Sequence, residues 1–163
     1  MSFSNSIRET NATKVTDNSN EFLRDLSRVG TWKWAIDWAL GGAKSNVYTY
    51  YFTRVPAENR AGSAYHGAEL WYTFNNIPYS DYSNVTWYDY DYVVEDKMSN
   101  YWANFIRKGD PNGDGLPKFI KTTNQTKETM WLGNSWVAGP ISDAKLSQLV
   151  SFLERWFATL KEW

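Results

Sequence analysis

The run Val47-Tyr48-Thr49-Tyr50-Tyr51-Phe52 is β-branched or aromatic at every position, and stretches of helical period flank it on both sides. Such side chains pack well on a pleated surface and crowd the preceding turn of a helix. Arg54 and Pro56 follow, and proline cannot donate to a ladder, so the strand is predicted to end there. Upstream, Phe22, Leu23, Leu26 and Val29 fall at helical spacing, with Ser19 or Asn20 as cap. Trp32, Ala35, Ile36, Ala39 and Leu40 form a second stripe that Gly41-Gly42 stops. Downstream, Ala68–Phe74 predicts a short helix, and 75–90 a long aromatic, Asp-rich loop. Val93–Ile106 predicts an amphipathic helix ending at Gly109, and Thr129–Leu132 a short strand. A last helix is predicted after Pro140-Ile141, capped by Ser142 or Asp143 and carrying Leu146, Leu149, Val150, Leu153, Trp156, Phe157 and Leu160. Residues 1–19 are polar and aperiodic, a flexible N-terminal arm, and 20–163 read as one domain or one piece of one domain.

At 163 residues the chain can bury a sizeable core, and 42% hydrophobic against 21% charged residues excludes a disordered chain. A net charge of -1 gives no general attraction to nucleic acid or anionic lipid. No apolar run is long enough to cross a bilayer, and the start has no signal-peptide pattern. The absence of cysteine removes disulfide and thiolate chemistry and leaves the compartment open. Aromatic residues reach 18%, enough to fill a large core or to offer stacking faces for sugars.

The chain has one histidine, His66, in Ala64-Tyr65-His66-Gly67-Ala68-Glu69-Leu70, shortly after the aromatic strand. Imidazole takes and returns protons near neutrality, so a loop-borne histidine after a strand is a candidate general base. Its partners are missing nearby. Gly133-Asn134-Ser135-Trp136-Val137 is nearest to a G-x-S-x-G nucleophile turn, but Val137 stands where the second glycine must let a helix approach. Ser135 is therefore rejected as a nucleophile. Asp110-x-Asn112-x-Asp114-Gly115 mimics half of a calcium loop, yet its twelfth position is Lys121 and a polar turn is the better account. One histidine without cysteine does not make a zinc site, and no glycine-rich phosphate loop follows a strand. No metal or cofactor is called for. Asn11, Asn84 and Asn124 begin N-x-Thr sequons, which permit a secretory route without establishing one.

Taken together, four stretches resemble the C-terminal portion of a type B carboxylesterase, the cholinesterase-like branch of the α/β-hydrolases. They are Val47–Phe52 through Arg54; Ala64–Leu70; Tyr101-Trp102-Ala103-Asn104-Phe105-Ile106 followed by Gly109-Asp110-Pro111-Asn112 and Leu116-Pro117; and Met130-Trp131-Leu132-Gly133 with Gly139-Pro140-Ile141. The resemblance runs from about Asn20 to Trp163. It implies an α/β class, a partial α/β-hydrolase fold holding only the C-terminal strands and helices of the sheet. It implies a carboxylic ester hydrolase in which His66 is the base of a Ser-Glu-His triad, with Gly67 allowing the sharp turn after it. Glu69 is read either as ordering that loop or as a solvent-facing carboxylate at a helix start. Glu9, Glu21 and Glu58 qualify as the acid by residue type only. The serine elbow, acid and oxyanion loop of the family precede this stretch, so the chain is expected to be a fragment without appreciable activity alone. Its implied partners are an ester substrate in the full-length enzyme and a complementary N-terminal fragment, and the resemblance alone favours secretion. Two alternatives stand beside it. One is a non-catalytic cholinesterase-like adhesion protein using the aromatic loop from Tyr79 to Tyr92, Trp87 included, as its contact surface. The other is a carbohydrate-binding module, although such modules are usually all-β sandwiches.

Overall fold

The computed structural model describes residues 12–55, 64–80, 86–126, 128–140 and 143–160. In chain order these form helix α1 (Ala12–Leu40), strand β1 (Tyr50–Phe52), helix α2 (Leu70–Thr73) and a 3₁₀ turn at Ile77–Tyr79. Helix α3 (Asp89–Lys108), strands β2 (Glu128–Leu132) and β3 (Val137–Pro140) and helix α4 (Asp143–Leu160) follow. The sheet order is β1-β2-β3. β1 runs parallel to β2 with Tyr50 opposite Met130 and Phe52 opposite Leu132, and β3 returns antiparallel with Val137 opposite Trp131.

The alternation of β1 decides what covers each face of the sheet. Tyr50 and Phe52 point toward α3 and α2, where Tyr50 meets Trp102 edge-on at 5.1 Å and Phe52 lies 5.3 Å from Tyr72. Tyr51 points the other way and meets Trp131 at 5.2 Å. The Arg28 guanidinium of α1 covers that pair, 4.8 Å from the Trp131 ring, so its charge rests on a π-face. The main core joins Tyr72, Ile77, Val94, Met98, Tyr101, Phe119, Met130 and Leu132. A second cluster pairs α1 with α4 through Val29, Trp32, Ile36, Leu146, Leu149 and Leu153.

Several elements depart from the sequence expectation. The two stripes of α1 are one uninterrupted helix that starts at Ala12, so Ser19 and Asn20 lie inside it and 12–19 are helical. Its end is as expected, at a Gly41-Gly42 turn in which Gly42 has a φ of +91°. The first half of the predicted strand is held by lateral bonds: Thr122 N–H donates to Val47 O at 2.9 Å, and the Thr49 and Thr122 hydroxyls meet at 2.7 Å. β3 went unpredicted because its sequence, Val-Ala-Gly-Pro, has little strand propensity. Its glycine is needed where it sits, since a Cβ on Gly139 would lie 2.4 Å from the Trp131 indole nitrogen.

Gly133 closes β2 with a φ of +118°, and a Cβ there would lie 2.6 Å from the backbone nitrogen of Arg54. Both the dihedral and the contact with backbone resist any side chain. Gly133→Ala is expected to cost about 3 kcal/mol, combining backbone strain with overpacking. Urea denaturation of the two proteins checks it; equal midpoints would contradict the close approach.

Glu95 of α3 is 4% exposed, and one of its carboxylate oxygens accepts the Ile77 N–H at 2.8 Å. Burial pushes its pKa up, partly offset by that amide. A carboxyl whose folded pKa is raised loses stability as pH climbs from the ordinary carboxylate range through the folded value. Glu95→Gln keeps an acceptor oxygen and carries no charge. It is therefore expected to raise the melting temperature at pH 7 and to make no difference below about pH 4. Thermal melts at both pH values test this; an equal shift at both would overturn it.

Candidate active site

His66 is solvent-exposed, in a turn beyond the C-terminal end of β1 and just ahead of α2. Gly67 follows with a φ of +84°, a left-handed conformation that glycine adopts without steric cost. The turn closes with Ala68 N–H donating to Tyr65 O and Leu70 N–H to Gly67 O, both at 3.1 Å, while Ala68 is fully buried. The sharp bend expected after the histidine is present.

A cleft of about 910 Å³ opens beside this turn, between α1 and β1. It is lined by Leu23, Arg24 and Ser27 of α1, by Tyr51 and Thr53 of the β1 region, and by His66 and Glu69. Ligands of parallel α/β sheets collect at the carboxyl ends of strands, and His66 follows β1 in the chain and lines this cleft. The Tyr50 hydroxyl is pushed up in pKa by burial and then by the charge of Glu69. Glu69 thus shares the cleft with His66.

Side chains on either side of the histidine in sequence are tied to one buried carboxylate. Arg54, just past β1, donates its Nε–H to Asp91 Oδ1 at 2.7 Å, and the Tyr72 hydroxyl of α2 donates to the same oxygen at 2.9 Å. Asp91 Oδ2 accepts Tyr88 N–H at 2.9 Å, which starts α3 at Asp89 and not at Val93. Asp91 is fully buried. Burial alone would raise its pKa, but the Arg54 guanidinium, the Tyr88 amide and the Tyr72 hydroxyl together hold it below the ordinary carboxylate range. Tyr72 is correspondingly pushed far up by burial and by the Asp91 charge.

The other sequence candidates lie elsewhere. Ser135 sits in the turn from β2 to β3, a strand-to-strand connection without the strand-to-helix bend a nucleophile needs. Ser27, which the sequence did not single out, lines the cleft but belongs to the body of α1. Glu21 faces Lys145 of α4 at 3.4 Å, in the helix pair. Glu9 and Glu58 lie outside the described residues. The Asp110 segment is a turn: Asp110 Oδ1 accepts both nitrogens of Asn112, whose own amide oxygen takes Phe119 N–H at 2.7 Å. Among the described residues no group of His, Asp and Glu could hold a metal ion. Trp87 is tucked against Tyr72 and donates its indole N–H to Ser80, so it supports the core more than it offers a contact surface.

Residues 2–145 match the Carboxylesterase family. The chain belongs to that family. Human cocaine esterase (Homo sapiens) is 35% identical over 80 residues, which cover 46% of this chain and 14% of the human protein. Carboxylesterase 5A of the dog (Canis lupus familiaris) is 64% identical over 25 residues, 15% of this chain and 4% of that protein. Among solved structures, a PNB esterase superposes with a TM-score of 0.55 at 19% identity, over 64% of this chain and 21% of its own. An esterase from Clostridium hathewayi, described as hydrolysing aliphatic aromatic polyesters, gives 0.54 at 24%, over 64% and 20%. These likenesses establish a partial α/β-hydrolase fold, and the family makes the chain a relative of ester hydrolases. The described helices include none long and apolar enough to cross a membrane.

Sequence reasoning missed Asp91 as part of this region. Its signal was present, an acid at the third position after Tyr88 ahead of an apolar helical stripe. The capping pattern was hidden because tyrosine takes the place of the usual serine or threonine.

Proposed function

We propose that this chain contributes the general base, His66, of a serine carboxylesterase whose nucleophile, acid and oxyanion donors come from a complementary N-terminal polypeptide portion. The observation that carries this is an exposed loop histidine, followed by Gly67 with a left-handed φ, that lines an open cleft along β1 in a chain of the Carboxylesterase family. Within the completed enzyme the imidazole takes the serine proton as the oxygen bonds to the ester carbonyl carbon. It returns that proton to the leaving alkoxide, then accepts one from the water that releases the acyl group. The substrate is a carboxylic ester, bound where the cleft meets the complementary portion. Among the described residues β1 is paired on one side only, which gives that portion an edge to join.

The chain alone should turn over p-nitrophenyl acetate no faster than buffer, and His66→Ala should change nothing, because a triad without its nucleophile loses on the order of 10⁶ in turnover. Histidine-dependent hydrolysis well above background by the isolated chain would overturn the need for a second portion.

A further inference from the structure

Both ends of the segment that carries His66 converge on a single oxygen atom. Arg54 precedes the histidine and Tyr72 follows it, and both donate to Asp91 Oδ1, at 2.7 and 2.9 Å. We propose that Asp91 is a positioning residue: its carboxylate is a clasp that closes the histidine segment and fixes where the imidazole is held relative to β1. The proposal rests on His66 being the base.

Three features favour a clasp over ordinary core packing. First, the strand end needs no help from Asp91, because Thr53 N–H already donates to Leu132 O at 2.7 Å and Arg54 backbone abuts Gly133. Second, Tyr72 needs no hydroxyl to stay in the core, since its ring is packed against Phe52 and Trp87. What the hydroxyl and guanidinium add is a shared ionic partner, and charge-assisted bonds to a fully buried carboxylate are the strong ones. Third, Asp91 is itself immobile: its second oxygen takes Tyr88 N–H, and its backbone N–H donates to Tyr88 O at 2.8 Å, so the clasp is built into the first turn of α3. The Arg54 guanidinium also lies over the Tyr90 ring at 5.2 Å, which limits its alternative positions. The histidine turn's own backbone bonds shape the bend; the clasp sets the bend's place against the sheet.

The single histidine makes the test direct, since one ring signal reports on one site. The full chain carrying ¹³C-labelled histidine is compared with Tyr72→Phe, Arg54→Met and Asp91→Asn. Each variant is expected to shift or broaden the His66 ring signal. Each is also expected to raise amide hydrogen exchange across 64–73 by about tenfold, the effect of losing a bond to a charged group. In Tyr72→Phe, the mildest of the three, exchange in β2 and in the α1–α4 pair should rise far less than across 64–73. Tyr72→Phe removes one oxygen and keeps the packed ring, so it remains informative should Asp91→Asn fail to fold. An unchanged His66 signal in Tyr72→Phe and Arg54→Met would overturn the clasp. So would, in Tyr72→Phe, a rise in exchange through β2 and α4 as large as that across 64–73, the mark of a merely structural role. None of these measurements uses ester turnover, so failure of the clasp and failure of His66 as base are read separately.

Discussion

In a carboxylesterase completed around this chain, for example by fusing it behind the serine-bearing portion of a relative, His66→Ala is expected to lower kcat by on the order of 10⁶. The size follows from the role. Without the base, serine attacks with its proton in place and the alkoxide leaves unprotonated, so both halves of the reaction lose their proton path. KM should move far less than kcat, because an imidazole that carries protons does little to hold the ester in its ground state. The substitution is also clean. His66 is exposed and its turn is shaped by Gly67 and by backbone bonds, so its removal should leave the melting point of the chain unchanged. Parent and variant rates on a p-nitrophenyl ester decide the matter; a variant that keeps the parent kcat would remove His66 from the chemistry.

The parts of the fold legible in the sequence were those in which side-chain pattern and backbone demand agree. Met98, Tyr101, Trp102 and Phe105 announce α3 because one face of the helix must meet the sheet, and Leu146, Leu149 and Leu153 announce α4 for the same reason against α1. β3 was illegible because its stability comes from the register with β2, where Gly139 makes room for Trp131, and not from its own residues. The division of α1 into two stripes misread one long helix: Leu26 and Val29 of the first stripe and Trp32 and Ile36 of the second all pack in the cluster shared with α4.

The site was half legible. His66 stood out because it is the one imidazole of the chain and sits on a predicted loop between a strand end and Gly67, and the structure leaves it exposed at the cleft. The cleft beside it could not be found, because α1 is distant in sequence from the histidine. Asp91 was invisible for a related reason. Its partners Arg54 and Tyr72 belong to separate elements, and only the packing of α2 against α3 brings them to one carboxylate. An acid in a helix's first turn is ordinarily a solvated cap.

Asp91→Ala is expected to cost about 3–5 kcal/mol, the usual consequence of taking one partner from a buried ion pair. For a chain of this size that lowers the melting temperature by roughly 10 °C. Three donors lose their acceptor at once: the guanidinium of Arg54, the hydroxyl of Tyr72 and the amide of Tyr88. The guanidinium does not relieve itself by losing its proton, so its charge is left half-enclosed. Acid should reproduce part of the effect. Because the folded pKa of Asp91 lies below the unfolded one, its contribution is complete above about pH 4 and is lost as pH falls through the folded value. Stability of the parent should therefore drop steeply at acid pH, whereas Asp91→Asn should begin lower and follow a shallower acid limb. Urea denaturation between pH 2 and pH 7 measures both curves. Parallel curves would mean that the carboxyl binds its proton equally well folded and unfolded, and the pairing with Arg54 would have to be abandoned.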